Sequence, residues 1–208
     1  MVKRIIFDVD YTLLKPNYSN ESEFFQKWVS SDNEYFLYHM YEILTEYEQN
    51  YARYEMNNLL KHLNKYSNGI ILGESFYKAW LEFIMDLEEQ DVQIVHGVLS
   101  YLKEKYELAV LTNGLRIAQI ENLRRFDLLK YFDEIYSGED CLKPRLESYH
   151  MAIGSHNPDE CIMIGDSLSC DVIGALNAGL QAIHYTNGKE VEHNYPKVKC
   201  LSELKNLL

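Results

Sequence analysis

The feature that most constrains the fold is an alternation of short, apolar, β-rich runs with helical patterns. Five such runs lie at residues 3–10, 106–112, 134–138, 161–166 and 180–186. Helical patterns cover residues 115–126, 145–154 and about 202–208, and another helix follows the fourth run. Apolar strands that alternate with helices are typical of a parallel sheet with helices on both faces. The sequence therefore predicts an α/β protein with a doubly wound, Rossmann-like parallel sheet.

Residues 15–91 interrupt this alternation. They contain no convincing strand, and their apolar spacing predicts two or three amphipathic helices. Tyr47, Tyr51 and Tyr54 repeat at helical spacing, which indicates a packing stripe more strongly than a platform for the ring of a ligand. From residue 11 to residue 91 the chain carries 14 acidic and 6 basic residues, a net charge of −8. The sequence thus predicts an acidic, all-helical domain inserted into the α/β fold.

Composition and charge exclude several classes of partner. The chain of 208 residues has a formal net charge of −12, and both nucleic acid and anionic membranes require a basic surface. No run approaches the roughly 20 apolar residues that a membrane helix needs. Asp8 interrupts the apolar stretch near the amino terminus, so no signal peptide is predicted. The four cysteines form no C-x-x-C pair and are interpreted as reduced thiols of a cytoplasmic protein.

Polar residues follow four of the predicted strands at their carboxyl ends, which is where open α/β sheets bind ligands. In chain order these residues are Asp8 with Asp10, then Thr112, Asn113 and Gly114, then Lys143, and finally Asp166 with Asp171. Asp8 and Asp10 project to the same side of an extended segment, where two like charges repel. A bound cation would remove that repulsion, and a solvated strand end would also permit it.

Taken singly, most of these signals have a plain structural interpretation. A D-x-D pair is common at solvated strand ends, Thr-Asn-Gly makes a turn before a helix, and Lys-Pro carries almost no information. The run G-D-S-x-x-x-D-x-x-G-A-x-x-A-G at residues 165–179 is longer and more specific. It favours a functional role for the fourth strand end.

The order of the four signals resembles the haloacid dehalogenase-like hydrolase superfamily, whose four motifs have this order and placement. The resemblance covers residues 1–14 and about 92–208. The insert at residues 15–91 is similar to the helical cap that one subgroup carries between its first and second motifs. The resemblance therefore implies a catalytic core of residues 1–14 plus 92–208 and a helical cap domain of residues 15–91.

The resemblance also implies roles for the residues that match the motifs. Asp8 would attack phosphorus and form an aspartyl-phosphate. Asp10 would first protonate the leaving alcohol and then deprotonate the water that hydrolyses the intermediate. The hydroxyl of Thr112 and the amide of Asn113 would bind the phosphoryl oxygens. Lys143 would neutralise charge on the nucleophile and on the transferring group.

A magnesium ion is the implied cofactor, since Mg²⁺ prefers hard oxygen ligands and needs few carboxylates. Asp8 and Asp166 would supply carboxylates, and Asp10 would bind the metal through its backbone carbonyl. Asp171 would contact the metal or one of its waters. Tyr11 departs from the pattern, because it replaces the glycine that is usual in the family's D-x-D-G-T, so the turn after the first strand must accept a side chain.

The implied activity is hydrolysis of small phosphomonoesters, with nucleoside 5'-monophosphates as the leading candidate substrates and sugar phosphates next. Dehalogenases of the family lack a carboxylate at the position of Asp10, because the departure of halide needs no acid, so its presence favours phosphate. A phosphosugar mutase of the same superfamily is an alternative within the enzyme class. A catalytically silent protein that binds a phospho-ligand, or a receiver-like signalling module, is an alternative from a different class.

Overall fold

The fold is a six-stranded parallel sheet with helices packed around it and an all-helical insert. The computed structural model describes residues 1–208. The strands are β1 Arg4–Phe7, β2 Glu107–Leu111, β3 Glu134–Tyr136, β4 Cys161–Gly165, β5 Gln181–Tyr185 and β6 Lys197–Val198. Their order in the sheet is β3-β2-β1-β4-β5-β6, and every neighbouring pair is parallel. The predicted fold class is confirmed.

Ten α-helices connect or follow these strands. They are α1 Glu21–Phe25, α2 Glu34–Tyr38, α3 Met40–Asn50, α4 Met56–Leu63, α5 Glu74–Ile84, α6 Gln93–Lys103, α7 Arg116–Arg125, α8 Leu146–Ile153, α9 Gly174–Asn177 and α10 Leu204–Leu207. A π-helix at Leu168–Ile173 leads directly into α9. None of the helices is both long and apolar enough to cross a membrane.

Strand β1 lies at the centre of the sheet, and its position creates the place where a ligand binds in such folds. The chain runs from β1 to β2 and β3 on one side, and then crosses to β4, β5 and β6 on the other. The strand order therefore reverses between β1 and β4, and ligands bind at the carboxyl ends of strands beside such a reversal. Ile5, Ile6 and Phe7 are completely buried, as a central strand covered by helices requires.

The chain divides into two compact units. One comprises Met1–Lys15 and Glu89–Leu208 and contains the whole sheet, and the other comprises Pro16–Glu88 and contains α1 to α5. The sequence pattern predicted two or three helices for the second unit, whereas the structure has five. Helices α1 and α2 have only five residues each, which is too short for a helical period to be recognised in the sequence.

The tyrosines of the insert pack as predicted but not on one helix. Helix α3 ends at Asn50, so Tyr51 and Tyr54 lie beyond it. Their rings nevertheless stack on Tyr47, with centroids 4.4 and 5.1 Å from the Tyr47 ring. Tyr47 is completely buried and Tyr54 is 8% exposed. The spacing thus indicated a real cluster of rings, and the chain forms it by turning back on itself instead of extending the helix.

Two further details of the sheet-containing unit differ from the expectation. Strand β6 was not predicted because it has only two residues, and it joins the sheet through the pairing of Tyr185 with Val198. The helix expected after β4 begins as the π-helix Leu168–Ile173. A π-helix places side chains at a different angular spacing from an α-helix, and such segments are frequent at functional sites. This one carries Asp171.

Candidate active site

Three of the predicted polar positions meet at the carboxyl edge of the sheet because of the strand register. Phe7 of β1 is level with Val110 of β2 and with Ile164 of β4. The residues that follow the ends of these strands, Asp8, Thr112 and Asp166, therefore emerge at the same edge. The backbone N–H of Asp8 donates to the carbonyl of Ile164 at 3.0 Å, which fixes the start of the loop after β1.

Lys143 joins two of the predicted acids. Its Nζ donates to Asp8 Oδ1 at 2.8 Å and to Asp171 Oδ1 at 2.6 Å. All three side chains are buried, with exposed fractions of 3% for Lys143, 9% for Asp8 and 0% for Asp171. Charge-assisted hydrogen bonds between buried partners hold a site rigidly. The lysine, which lies 135 positions from Asp8 in sequence, thus forms one ion-pair cluster with the two acids.

Gly165, the last residue of β4, makes room for Asp171. A Cβ atom at position 165 would lie 2.2 Å from Asp171 Oδ2 and 2.3 Å from its Cγ, which no packing can accommodate. The same Oδ2 accepts a hydrogen bond from the backbone N–H of Ser167 at 2.9 Å. Both oxygens of Asp171 are therefore engaged, one by Ser167 and one by Lys143. The glycine of the G-D-S motif is required by this close approach.

Asp10 has a partner that the motifs did not reveal. Its Oδ2 accepts a hydrogen bond from Nε2 of Gln119 at 2.7 Å. Gln119 lies on α7 and is 3% exposed, whereas Asp10 is half-buried. No sequence signal marks Gln119, because only the packing of α7 against the sheet brings it to the end of β1.

Asn113 and Thr112 each have hydrogen-bond partners within the loops that carry the site. The side chain of Asn113 donates to the carbonyl of Lys143 at 3.0 Å and accepts from the N–H of Lys143 at 2.7 Å. Because both ends of this amide bind the backbone of Lys143, the side chain positions the lysine, and the predicted contact of Asn113 with a phosphoryl group stays a prediction. Thr112 is buried, and its Oγ1 accepts from the N–H of Gly114 at 3.0 Å, which leaves its hydroxyl proton for another acceptor.

Burial dominates the electrostatics of the acids. It raises the pKa of Asp8 well above its usual range, although Lys143 opposes the shift and Asp171 adds to it. Burial also raises the pKa of Asp10 to about 6, against the hydrogen bond from Gln119, and raises the pKa of Asp166. For Lys143, burial lowers the pKa, but the charges of Asp171 and Asp8 outweigh it and the pKa is raised. The protein alone therefore holds more negative charge here than it neutralises.

A divalent cation fits this excess of carboxylates. Asp8, Asp166 and Asp171 each offer an oxygen, and these oxygens lie within 4.8 Å of one another. Since both oxygens of Asp171 already bind protein donors, Asp8 and Asp166 are the better placed direct ligands. The Asp10 carbonyl accepts none of the backbone hydrogen bonds of this turn, whereas the carbonyl of Val9 accepts three. Two carboxylates and a free carbonyl form a donor set of hard oxygens.

Two residues outside the predicted set steady Asp166. The hydroxyl of Thr12 lies 3.4 Å from Asp166 Oδ1. Nε2 of His184, which lies on β5, is 2.8 Å from the Asp166 carbonyl oxygen. Thr12 follows Asp10 by two residues, so the D-x-D-x-T spacing was its signal in the sequence, whereas His184 had none. The Thr12 contact joins the loop after β4 to the loop after β1, and the His184 contact joins it to β5.

Tyr11 occupies a conformation that favours glycine. Its φ is +60°, a value that a bulky L-residue adopts rarely and at a cost. The turn keeps its shape because the N–H of Tyr11 donates to the carbonyl of Leu14 at 2.7 Å. The ring is 47% exposed and lines a cavity of about 180 Å³ that also borders Asp166 and His184. The turn thus accepts the side chain, as the sequence required, and directs it to the edge of the site.

Comparisons with known proteins assign the chain to a family. The family model for haloacid dehalogenase-like hydrolases matches residues 5–185. The pyrimidine 5'-nucleotidase PynA of Streptococcus pneumoniae is 24% identical over 202 residues, which are 88% of this chain and 83% of PynA. The glyceraldehyde 3-phosphate phosphatase of Pyrococcus furiosus is 26% identical over 208 residues, 92% of this chain and 83% of that protein.

A solved structure extends the similarity to the fold. The magnesium-bound crystal structure of the HAD-hydrolase YfnB from Bacillus subtilis superposes with a TM-score of 0.73 at 20% identity, covering 99% of this chain and 98% of that one. At this identity the superposition shows the fold alone. The family model matches most of the chain, from the second residue of β1 to the end of β5, and includes the loops that carry every acid of the site. The chain belongs to the haloacid dehalogenase-like hydrolases.

Proposed function

We propose that the protein is a magnesium-dependent phosphatase that hydrolyses small phosphomonoesters through an aspartyl-phosphate on Asp8. One observation carries the proposal: two carboxylates of different character lie two residues apart after the central strand. Asp8 is ion-paired with the buried Lys143, while Asp10 is held by the neutral amide of Gln119. The ion pair with Lys143 opposes the rise that burial causes in the pKa of Asp8, as a nucleophile that must be ionised requires, and the neutral partner of Asp10 suits an acid that gains and loses a proton.

In the first half-reaction a carboxylate oxygen of Asp8 attacks phosphorus. The new bond forms as the bond from phosphorus to the leaving oxygen breaks, and Asp10 gives its proton to that oxygen. Lys143 stays protonated and offsets charge on the nucleophile, and its position is held by Asp171 and Asn113. Preorganised charge of this kind needs no rearrangement at the moment of transfer.

In the second half-reaction Asp10, now a carboxylate, takes a proton from water as the water oxygen attacks the phosphorus of the aspartyl-phosphate. The bond between phosphorus and Asp8 breaks, inorganic phosphate leaves, and both aspartates return to their starting states. The hydroxyl of Thr112, whose oxygen already accepts from Gly114, is positioned to donate to a phosphoryl oxygen. Water alone completes the balance, so no further co-reactant is needed.

Asp8, Asp166 and the carbonyl of Asp10 would hold the magnesium ion, with Asp171 acting through Lys143 and the loop backbone. When bound, the ion neutralises the excess negative charge and orients the phosphoryl group for in-line transfer. The hard oxygen donors and the 4.8 Å limit on their separation support this assignment. That the fold of YfnB was solved with magnesium bound supports it as well.

The substrate class follows from charge and from the relatives. The helical insert, which we assign the role of a cap, belongs to a strongly acidic stretch and offers no basic platform for a polyanion. PynA is named for a nucleotide substrate and the Pyrococcus furiosus protein for a triose phosphate, both small phosphomonoesters. We therefore place nucleoside 5'-monophosphates first and sugar phosphates second.

The test is a panel of phosphorylated metabolites assayed for released phosphate with Mg²⁺. We expect kcat/KM for a nucleoside monophosphate to exceed that for its triphosphate. Equal or better turnover of the triphosphate would overturn the charge argument, and a preference for a hexose phosphate would remove the nucleotide assignment alone. Retention of phosphate on the product would indicate a mutase, and binding without any release would indicate a silent receptor.

A further inference from the structure

Gln119 is a buried polar residue of the sheet-containing unit, and only one end of its amide has a partner. Nε2 donates to Asp10 Oδ2 at 2.7 Å, while Oε1 is buried and has no hydrogen-bond partner. A buried acceptor without a partner costs about 1–3 kcal/mol. A residue that served packing alone would avoid that cost, so the contact with Asp10 is the feature that distinguishes this side chain.

The loop after β2 is shaped to admit this amide. A Cβ atom at Gly114 would lie 2.1 Å from Nε2 of Gln119 and 2.8 Å from its Cγ and Cδ. The φ of Gly114 is not positive, so a left-handed backbone does not explain the glycine. It is needed because the Gln119 side chain passes directly over it on the way to Asp10. The hydrogen bond to Asp10 thus depends both on Gln119, which donates it, and on Gly114, which leaves space for the Gln119 side chain.

A neutral amide donor has a chemical advantage at this place. An N–H group can donate to a carboxylate and equally to the carbonyl oxygen of a protonated carboxyl group. A lysine or arginine in its place would favour the ionised form strongly, and an apolar residue would leave the carboxyl free to rotate. Because Oδ2 is occupied by Gln119, the other oxygen, Oδ1, is left to carry the exchanging proton.

We propose that Gln119 is a positioning residue that orients the carboxyl group of Asp10 for proton transfer to the leaving oxygen of the substrate. The inference rests on the proposed function, in which Asp10 is the acid. When the bond from phosphorus to the leaving oxygen breaks, the proton on Oδ1 moves to that oxygen and Asp10 becomes a carboxylate. Gln119 keeps its hydrogen bond to Oδ2 throughout and neither gains nor loses a proton.

The test compares two substrates that differ in their need for an acid. A p-nitrophenolate leaves readily without protonation, whereas the alkoxide of an alkyl phosphate must be protonated as it leaves. We expect Gln119→Leu to lower kcat/KM for an alkyl phosphate ~10-fold to 100-fold, the scale of a misplaced catalytic group. For p-nitrophenyl phosphate we expect a change of less than about threefold, because the nucleophile and its charge partners are intact.

Two controls separate orientation from packing. Asn122 is as deeply buried on the same helix and makes no hydrogen bond to Asp10, so Asn122→Leu should show no selectivity between the substrates. Gly114→Ala, which displaces the Gln119 side chain, should reproduce the selectivity of Gln119→Leu. Thermal unfolding of each variant would show that the compared proteins are folded.

The double variant Asp10→Asn/Gln119→Leu should be no slower on the alkyl phosphate than Asp10→Asn alone, because the second change acts only through the first residue. Equal losses on both substrates for Gln119→Leu, or additive losses in the double variant, would overturn the inference. If Asp10→Asn itself showed no preference between the substrates, the proposed acid would be wrong, and that failure would be visible independently of Gln119.

Discussion

The two ends of the parallel sheet carry similar residues and use them in opposite ways. At the amino end, the buried Arg4 of β1 pairs with Glu107 and Glu134, the first residues of β2 and β3. At the carboxyl end, the buried Lys143 pairs with Asp8 and Asp171. Each end thus has one buried cation between two carboxylates. The difference lies in how far the carboxylates are buried.

At the amino end the acids remain half in water. Glu107 is 55% exposed and Glu134 is 48% exposed. A hydrogen bond from His156 lowers the pKa of Glu107, and the hydrogen bond from Arg4 lowers that of Glu134. At the carboxyl end burial reverses the direction and raises the pKa values of Asp8, Asp10 and Asp166. Carboxylates that are hydrated need no partner beyond the arginine. Buried carboxylates that outnumber the cations beside them need a further positively charged ligand.

Removing the metal should have the largest effect on activity, since at the carboxyl end of the sheet the buried carboxylates outnumber the cations. We expect EDTA to abolish hydrolysis of a generic aryl phosphate and excess Mg²⁺ to restore it. Mg²⁺ should also raise the Tm of the wild type, because a ligand of the folded state stabilises it. Asp166→Asn should lose that shift, while Glu107→Gln at the other end should keep it. Full activity in metal-free buffer would contradict the assignment.

Asp8→Asn should have the next largest effect on activity. We expect turnover to fall roughly 10⁴-fold or more, because the variant lacks the covalent nucleophile. The variant should remain folded, because asparagine keeps the volume and relieves a buried charge. Mass spectrometry after a rapid quench should find phosphate on Asp8 in the wild type. A phosphate adduct on another residue would refute the assignment of Asp8 as the nucleophile. The control is Glu134→Gln, the same kind of change at the amino end of the sheet, which should retain turnover.

Asp10→Asn should have a smaller effect, a loss of ~10²–10⁴-fold that reflects acid–base catalysis. The aspartyl-phosphate should still form from an aryl phosphate but should be hydrolysed slowly, since the attacking water loses its base. Rapid-quench measurement of the phosphorylated fraction would show accumulation in the variant. Unchanged hydrolysis of the intermediate would remove Asp10 from the second step.

Arg4→Met should change stability and leave chemistry intact. Removing one partner of a buried ion pair costs about 3–5 kcal/mol when the remaining charge stays buried. Because Glu107 and Glu134 can be hydrated here, we expect about 2–3 kcal/mol, read from urea unfolding. The kcat of the folded fraction should equal that of the wild type. A loss of kcat would mean that the two ends are coupled.

The smallest effect is a pH dependence of opposite sign at the two ends, measured without metal. The pKa of Asp10 is raised to about 6 in the folded state, from about 3.9 in the unfolded state. Protonated Asp10 therefore favours folding. Its contribution to stability is complete below about pH 3.9 and is lost as the pH rises through about 6. Relative to the wild type, Asp10→Asn should gain stability between about pH 4 and pH 7, by at most about 3 kcal/mol, since each pKa unit corresponds to about 1.4 kcal/mol.

Glu134 should show the reverse. Its pKa is lowered in the folded state, so ionised Glu134 favours folding. This contribution to stability is present above the unfolded pKa of about 4.3 and is lost as the pH falls. Glu134→Gln should therefore be less stable than the wild type at neutral pH and approach it in acid. Denaturant unfolding across this range would test both signs, and parallel curves for the two variants would contradict the distinction between the ends.

Much of the fold was predictable because its determinants are local. Central strands such as β1 are buried on both faces and appear in the sequence as short apolar runs. Where such a run ends in an acid, as at Asp8 and Asp166, the position at the sheet edge follows. The insert was predicted less well, since helices of five residues leave no period, and the stack of Tyr47, Tyr51 and Tyr54 forms across a chain reversal.

The sequence by itself determined which polar residues stand at the strand ends, because residue order and strand boundaries are local properties. Only the tertiary structure decided their partners. Asn113 holds the backbone of Lys143, and Gln119 reaches Asp10 across 109 positions. Such hydrogen bonds depend on how a helix packs on the sheet and on the space that a glycine leaves. Hydrophobic periodicity specifies that a helix packs, but not which of its polar side chains meets which acid.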